Sequence, residues 1–300
     1  MNVRIVEVGP RDGLQNEKAP IPTETKIALV DALSEVGYDE IEVSAFVSPK
    51  WIPQLADASE VFAGIRRRPG VTYSALVPNQ QGLDRALEAR VGKIAVFTAA
   101  SETFNRKNVN AGIDESIERF APVVPRALAE KVRVRGYIST AFWCPYEGKV
   151  EPAAVVKVAQ QLLDLGVEEL SIGDTIGKAV PEEVDRLLDR LLDAAPQDQI
   201  ALHFHDTYGA AIANSLAGYA RGVTIFDASV GGVGGCPYAP GAAGNVATEA
   251  LVEALRRSGA EISLDTGVLT AASDLLAAAL GRPLGSDVRG ALKREDAEPR

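Results

Sequence analysis

Eight short β-branched runs, separated by longer amphipathic stretches, set the first limit on how this 300-residue chain can fold. The runs are RIVEV (4–8), EIEVS (40–44), TYSAL (72–76), KIAVFT (93–98), RVRGYIS (133–139), ELSIG (169–173), IALHF (200–204) and IFDASV (225–230). Helical patterns lie between them. TETKIALVDALSEVG reads as a helix with Thr23 at its N-cap, Glu24 and Thr25 in its first turn, and a stop at Gly37. EPAAVVKVAQQLLDLG carries Pro152 near its first turn and ends at Gly166. PEEVDRLLDRLLDAAP opens with Pro181 and two acids, which suit the positive N-terminal end of a helix. Eight alternations with short connections predict an α/β fold, a closed (β/α)8 TIM barrel rather than an open doubly wound sheet. No linker splits the series, so residues 1–285 read as one catalytic domain. After NVATEALVEALRRSG (245–259), a further helical stretch TGVLTAASDLLAAALG (266–281) is expected to pack against the barrel as a C-terminal extension. Residues 286–300 form a charged tail expected to fray.

Composition removes several function classes. The formal net charge is −10, and the one short basic cluster, Arg66 to Arg68, reads as a solvated helix end, so a nucleic-acid partner is not expected. No apolar run approaches the roughly 20 residues that span a bilayer. Met1 leads directly into the alternation VRIVEVG, without a secretory or transit pattern. Two cysteines, Cys144 and Cys236, are too few for a disulfide framework. A cytoplasmic protein with no membrane partner is expected.

In such a barrel, chemistry gathers at the C-terminal ends of the strands, and the unusual segments of this chain sit at those ends. The only two histidines, His203 and His205, close the seventh run. Residues i and i+2 of a strand share a face, so both imidazoles enter the barrel mouth together. They read either as a hydrogen-bonded core pair or, preferably, as two ligands of one divalent ion. Asp12, at the end of the first run, is the best oxygen ligand; its alternative is a turn cap before Gly13. Asn245 offers an amide oxygen to the ion or a cap to the following helix. Such a mixed set suits Mg²⁺ or Mn²⁺, with Zn²⁺ and Co²⁺ left open. Arg11 reads as a surface residue or as a fork of donors for a developing oxyanion. Glu42 reads as the group that orients Arg11, as a participant in proton transfer, or as a buried structural partner. Cys236 lies in the glycine-rich GGVGGCPYAPGAAGN (231–245), which has the composition of a lid, and it is a candidate acid or nucleophile. Cys144 reads as packing beside Pro145.

Taken together, VEVGPRDGLQNE, FVSPKW, RGYIS, CPYEG, GDTIG, HFHDTYG and GGCPYAPGAAGNVATE resemble the 3-hydroxy-3-methylglutaryl-CoA lyase family, from about residue 3 to 280. The resemblance implies a metal-dependent retro-Claisen cleavage giving acetyl-CoA and acetoacetate. It implies Asp12, His203 and His205 as metal ligands with Asn245 as a fourth. It also implies that Arg11 stabilises the thioester enolate, that Glu42 supports the site and that Cys236 moves a proton. The general base is His203 or Asp12. Acyl-CoA contacts are expected from Arg11, Gln15, Lys18, Asn108, Ser171 and Trp143, with Arg106 and Lys107 near the mouth. By family analogy the protein is a homodimer.

Two departures bear on the acyl group. Ser44-Ala45-Phe46 stands where the family usually has Thr-Ser-Phe, and Trp143 stands where glycine is common. A bulky indole there is expected to reshape the acyl pocket. A sister lyase for another 3-hydroxy-3-alkylglutaryl-CoA is therefore the main alternative, ahead of a Claisen-condensing synthase or a non-catalytic acyl-CoA-binding barrel.

Overall fold

A computed structural model describes residues 1–236 and 239–284, with the side chains of residues 236–243 left aside. The barrel strands are β1 (Arg4–Glu7), β2 (Glu40–Ala45), β3 (Thr72–Leu76), β4 (Lys93–Ala99), β5 (Arg133–Ser139), β8 (Glu169–Asp174), β9 (Ile200–Phe204) and β10 (Ile225–Ala228). Two short hairpins supply the intervening labels, β6 (Trp143–Cys144) with β7 (Gly148–Lys149), and β11 (Gly235–Cys236) with β12 (Ala239–Ala243). The eight long strands close in the order β1-β10-β9-β8-β5-β4-β3-β2. Every barrel pair is parallel, and closure comes from Arg4↔Ile225 through Glu7↔Ala228. The predicted TIM barrel is the fold. Among the described residues no helix is long and apolar enough to cross a membrane.

The outer ring comprises α1 (Thr23–Ser34), α2 (Ala58–Gly64), α3 (Gln80–Glu88), α4 (Glu102–Val109), α5 (Ile113–Phe120), α6 (Val124–Ala129), α7 (Pro152–Asp164), α8 (Pro181–Leu191), α9 (Ala211–Ala220) and α10 (Thr248–Arg257). A further helix, α11 (Thr266–Leu280), packs against α1. The start of α1 differs from the sequence expectation. Pro22 occupies the N-cap, and Thr23 is the first helical residue. The Thr23 hydroxyl donates to Asp57 Oδ2 at 2.7 Å instead of capping its own helix. The arginine triplet follows α2 and is exposed, as expected of a solvated helix end, and it makes surface pairs. Arg66 binds Asp31 on α1, Arg68 binds Glu35 at the α1 C-cap, and Arg67 donates to the carbonyls of Ala89 and Arg90. The charged tail expected at 286–300 lies outside the described residues.

Most of the apolar core lies between the barrel and its helices, in one continuous cluster of residues such as Leu29, Ile41, Val96, Leu162, Leu202 and Leu251. The barrel interior is different, because strand alternation sends charged residues inward. At its N-terminal end, Lys93 Nζ donates to Glu40 at 2.8 Å and to Glu169 at 2.7 Å, and Arg4 pairs with the same two carboxylates. One layer higher, Arg135 lies 3.2 Å from Glu169 and donates to Asp227 at 2.6 Å. These charges climb toward the mouth, where the predicted site residues lie.

Candidate active site and metal centre

After β1 the chain makes one wide helical turn over Gly9–Gly13, in which the amides of Arg11, Asp12 and Gly13 all point at the Val8 carbonyl. A Cβ on Gly13 would stand 2.5 Å from Val233 Cγ1 and 2.9 Å from the Val233 carbonyl, so only glycine lets this turn touch the loop after β10. Glu7 ties the same two segments together. Its Oε1 accepts from the Gly9 and Val230 amides, at 2.8 and 2.9 Å, and its Oε2 accepts from Tyr38 and Thr248. Burial pushes the Glu7 carboxyl up to about 7 against these stabilising donors. The turn thereby aims Arg11 and Asp12 into the barrel.

His203 ends β9 on its inward face, and His205 follows two residues later beside Asn245, which forms a bridge with it. Both imidazole Nε2 atoms lie 4.0 Å from Asp12 Oδ2. The three prospective ligand atoms fall within 4.8 Å of one another. That separation is too long for direct hydrogen bonding and matches three donors arranged around a common point. Burial and the neighbouring His203 push the His205 imidazole down to about 4, so it is neutral and able to donate a lone pair. Burial disfavours a charged His203 as well, but the carboxylates of Asp227 and Asp12 outweigh it and raise that imidazole. Asp12 is half-buried, and although its desolvation opposes charge, Arg11, then His203 and His205, hold it ionised below its usual range. Two imidazoles and one ionised carboxylate form a donor set that fits a divalent cation.

Arg11 is fixed from two sides. Its Nε and Nη2 both reach Glu42 Oε2 at 2.7 Å, and its Nη1 donates to Asp12 Oδ1 at 2.6 Å. Burial raises the Glu42 carboxyl, opposed by Arg11, and its buried Oε1 has no hydrogen-bond partner among the described residues. Tyr137 donates to Glu42 at 3.0 Å, and the guanidinium groups of Arg11 and Arg135 lie 5.3 and 5.0 Å from its ring centroid.

These groups open onto a cavity of about 220 Å³. Arg11, Asp12, Gln15, Asn108, Ser171, His203 and His205 line it, while Glu42 stands behind Arg11. Gln15 also donates to Asp12 Oδ1 at 2.9 Å. Asn245 donates to Asp12 Oδ2 at 3.0 Å; it does not cap the next helix, whose N-cap is Ala247. Ser171 faces the cavity, yet its hydroxyl is committed to Asp227 at 2.8 Å. Opposite the polar groups, Val47, Ile52, Leu76 and Phe97 form an apolar wall.

Three expectations require correction or fall elsewhere. Trp143 does not line the cavity: its indole donates to Glu183 at 2.9 Å, and Lys178 Nζ lies 4.0 Å from its ring. The short β6–β7 hairpin turns Trp143 toward α8 while Phe142 is buried against Phe204. Lys18 is exposed and is not among the cavity-lining residues. The Cys236 side chain lies outside the described residues, although its backbone pairs with Ala239. Cys144 is buried, and Ser101 donates to its sulfur at 3.0 Å, in keeping with a packing role. Sequence reasoning missed Tyr137, Arg135 and Asp227. Their signal was present as polar residues at inward positions of otherwise apolar strands.

Residues 2–276 match the HMGL-like family model. The chain belongs to the HMGL-like family. A Pseudomonas aeruginosa relative named 3-hydroxy-3-isohexenylglutaryl-CoA/hydroxymethylglutaryl-CoA lyase is 51% identical over 290 residues, covering 97% of each chain. A crystal structure of hydroxymethylglutaryl-CoA lyase from P. aeruginosa superposes with a TM-score of 0.95 at 51% identity, covering 98% of each chain. A lyase of the same name from Acinetobacter baumannii, in complex with coenzyme A and 3-methylmalate, gives a TM-score of 0.94 at 38% identity, covering 100% of this chain and 98% of its own.

Proposed function

We propose that this HMGL-like protein is a divalent-metal-dependent lyase that cleaves 3-hydroxy-3-methylglutaryl-CoA to acetyl-CoA and acetoacetate. The observation that carries the reading is the convergence of Asp12, His203 and His205 on one side of the cavity, with the Arg11 guanidinium beside them. Asp12, His203 and His205 would hold the ion, and the adjacent Asn245 amide would be the fourth protein group. Mg²⁺ or Mn²⁺ suits this mixed nitrogen and oxygen set. Bound there, the cation lowers the pKa of the substrate C3 hydroxyl.

The residues divide the remaining work. Asp12 accepts the C3 hydroxyl proton, because His203 has its Nδ1 turned to Asp227 and its Nε2 toward the ion site. As that proton leaves, the C2–C3 bond breaks, the C3 oxygen becomes the ketone of acetoacetate, and the electron pair passes into the thioester. Arg11, held rigid by Glu42, offers preorganised donors to the enolate oxygen. Cys236 returns a proton to C2, completing acetyl-CoA, so protons balance over the cycle. Gln15 and Asn108 face the acyl-CoA from the rim, with Lys18 outside it. We also propose that residues 1–285 act as one catalytic unit and that the chain is a homodimer, on family likeness alone.

A second reading, cleavage of a 3-hydroxy-3-alkylglutaryl-CoA with a larger substituent, is favoured by one feature. Ala45 stands in a small apolar cluster inside the barrel with Leu55, Leu76 and Tyr137, against which Val47, Ile52 and Phe97 pack. That wall suits an alkyl group better than a carboxylate. Assay of the purified protein with 3-hydroxy-3-methylglutaryl-CoA, with equimolar acetyl-CoA and acetoacetate as the readout, tests the proposal. No turnover by a folded, metal-loaded sample refutes it, and turnover of longer 3-alkyl thioesters alone establishes the second reading.

A further inference from the structure

His203 and His205 sit on the same face but have different surroundings. Among the described residues, the buried Nδ1 of His205 has no hydrogen-bond partner. The Nδ1 of His203 lies 3.2 Å from Asp227 Oδ2, inside the barrel and away from the cavity. Asp227 is only 2% exposed and is itself fully engaged. Arg135 Nη2 donates to its Oδ1 at 2.6 Å, and the Ser171 hydroxyl donates to its Oδ2 at 2.8 Å. Arg135 is in turn anchored 3.2 Å from Glu169, which belongs to the charge cluster at the opposite end of the barrel.

An ionised carboxylate only accepts hydrogen bonds. Facing Asp227, the His203 Nδ1 must therefore carry the ring proton, which leaves Nε2 bare and directed toward Asp12 and His205. We infer that Asp227 is a positioning residue that fixes His203 in its Nδ1–H tautomer, so that Nε2 presents a lone pair to the metal centre. The inference rests on the metal reading above. It reassigns Ser171 as well: its hydroxyl holds the carboxylate that holds the ligand, rather than contacting substrate. Carboxylates behind metal-bound histidines commonly have this effect, and their loss typically weakens metal binding about 10- to 100-fold.

Asp227→Asn provides a directional test. Arg135 requires an acceptor, so the new amide keeps its oxygen on the Oδ1 side and turns its NH₂ toward His203. That NH₂ donates to Nδ1, and the ring proton must move to Nε2, the atom needed for the ion. The chain holds only two histidines, so its imidazole ¹⁵N spectrum contains two rings, assigned by a His205→Gln variant. The test is run on metal-free protein at alkaline pH, alongside Mn²⁺ titrations and thermal melts. The expected wild-type spectrum shows His203 protonated at Nδ1 with Nε2 bare. In Asp227→Asn the proton transfers to Nε2 and Mn²⁺ affinity falls about 10- to 100-fold. A wild-type His203 protonated at Nε2 overturns the inference whether or not the variant folds. An Asp227→Asn protein that melts earlier with its tautomer unchanged also overturns it, because that is a structural role alone. Wild-type protein with the expected tautomer but no Mn²⁺ binding refutes the metal reading and leaves the tautomer assignment standing.

Discussion

The two ends of the barrel interior are built from the same kinds of residue and are finished differently. At the N-terminal end, Lys93, Glu40, Glu169 and Arg4 pair reciprocally, and Lys93 is only 1% exposed. At the mouth, both imidazole Nε2 atoms lie 4.0 Å from Asp12 Oδ2, and among the described residues the buried Glu42 Oε1 and His205 Nδ1 have no hydrogen-bond partner. Buried charge therefore marks no site by itself. The lower cluster has its partners within the chain, whereas the upper one keeps acceptors directed into a cavity. Arg135 and Asp227 join the two, so a structural charge cluster reaches a ligand through two side chains.

That contrast predicts activity effects at one end and stability effects at the other. The largest effects are expected from His203→Ala and Asp12→Ala, which should each cut turnover about 1,000-fold or more while leaving the melting transition near native. Steady-state rates beside thermal melts check this, and near-normal rates in either folded variant remove that residue from the proposed mechanism. Lys93→Met should do the reverse. Leaving buried carboxylates short of a partner costs about 3 kcal/mol, read from denaturant unfolding, while Mn²⁺ affinity of the remaining folded protein is retained.

The pH dependence of stability sharpens the comparison, since the carboxyls shift in opposite directions. Glu7, beneath the mouth, is raised from 4.5 to about 7 by burial. Its contribution is fully present below pH 4.5 and is lost as pH rises through about 7. Glu169, in the lower cluster, is held below its usual range because Arg135, Lys93 and Arg4 outweigh its burial. Its contribution is present above 4.5 and is lost as pH falls through its depressed value. Glu7→Gln should thus flatten the decline in stability between pH 4.5 and 7 by about 3 kcal/mol, because a neutral amide has no charge to bury. Denaturant midpoints across that window provide the readout, and an unchanged slope would mean that Glu7 does not titrate there. The smallest effect is expected at Trp143. Its indole faces Glu183 and Lys178, so Trp143→Phe should alter kcat/KM by no more than about twofold for any acyl chain length. A change in chain-length preference would place the indole at the acyl pocket after all.

The strands were legible because each barrel strand is buried on both faces and reads as a β-branched run between glycine and proline breaks. The boundary at Thr23 was not. Its hydroxyl is satisfied by Asp57, 34 residues away, which no local capping rule can register. Arg11, Asp12, His203 and His205 could be found because short spacings at strand ends define them. Asp227 and Arg135 showed in the sequence only as polar residues on apolar strands, and their role depends on a contact across 92 residues. Trp143 misled for a related reason. Which way a side chain leaves a two-residue hairpin strand depends on the packing of its neighbours, and the motif around it carries no such information.

The most direct test of the central claim is to titrate Mn²⁺ into metal-free protein while following acetyl-CoA release from 3-hydroxy-3-methylglutaryl-CoA. One ion held by Asp12, His203 and His205 predicts no cleavage at first, then a rise that saturates at one ion per chain and is reversed by EDTA. Undiminished cleavage by the metal-free protein would contradict it.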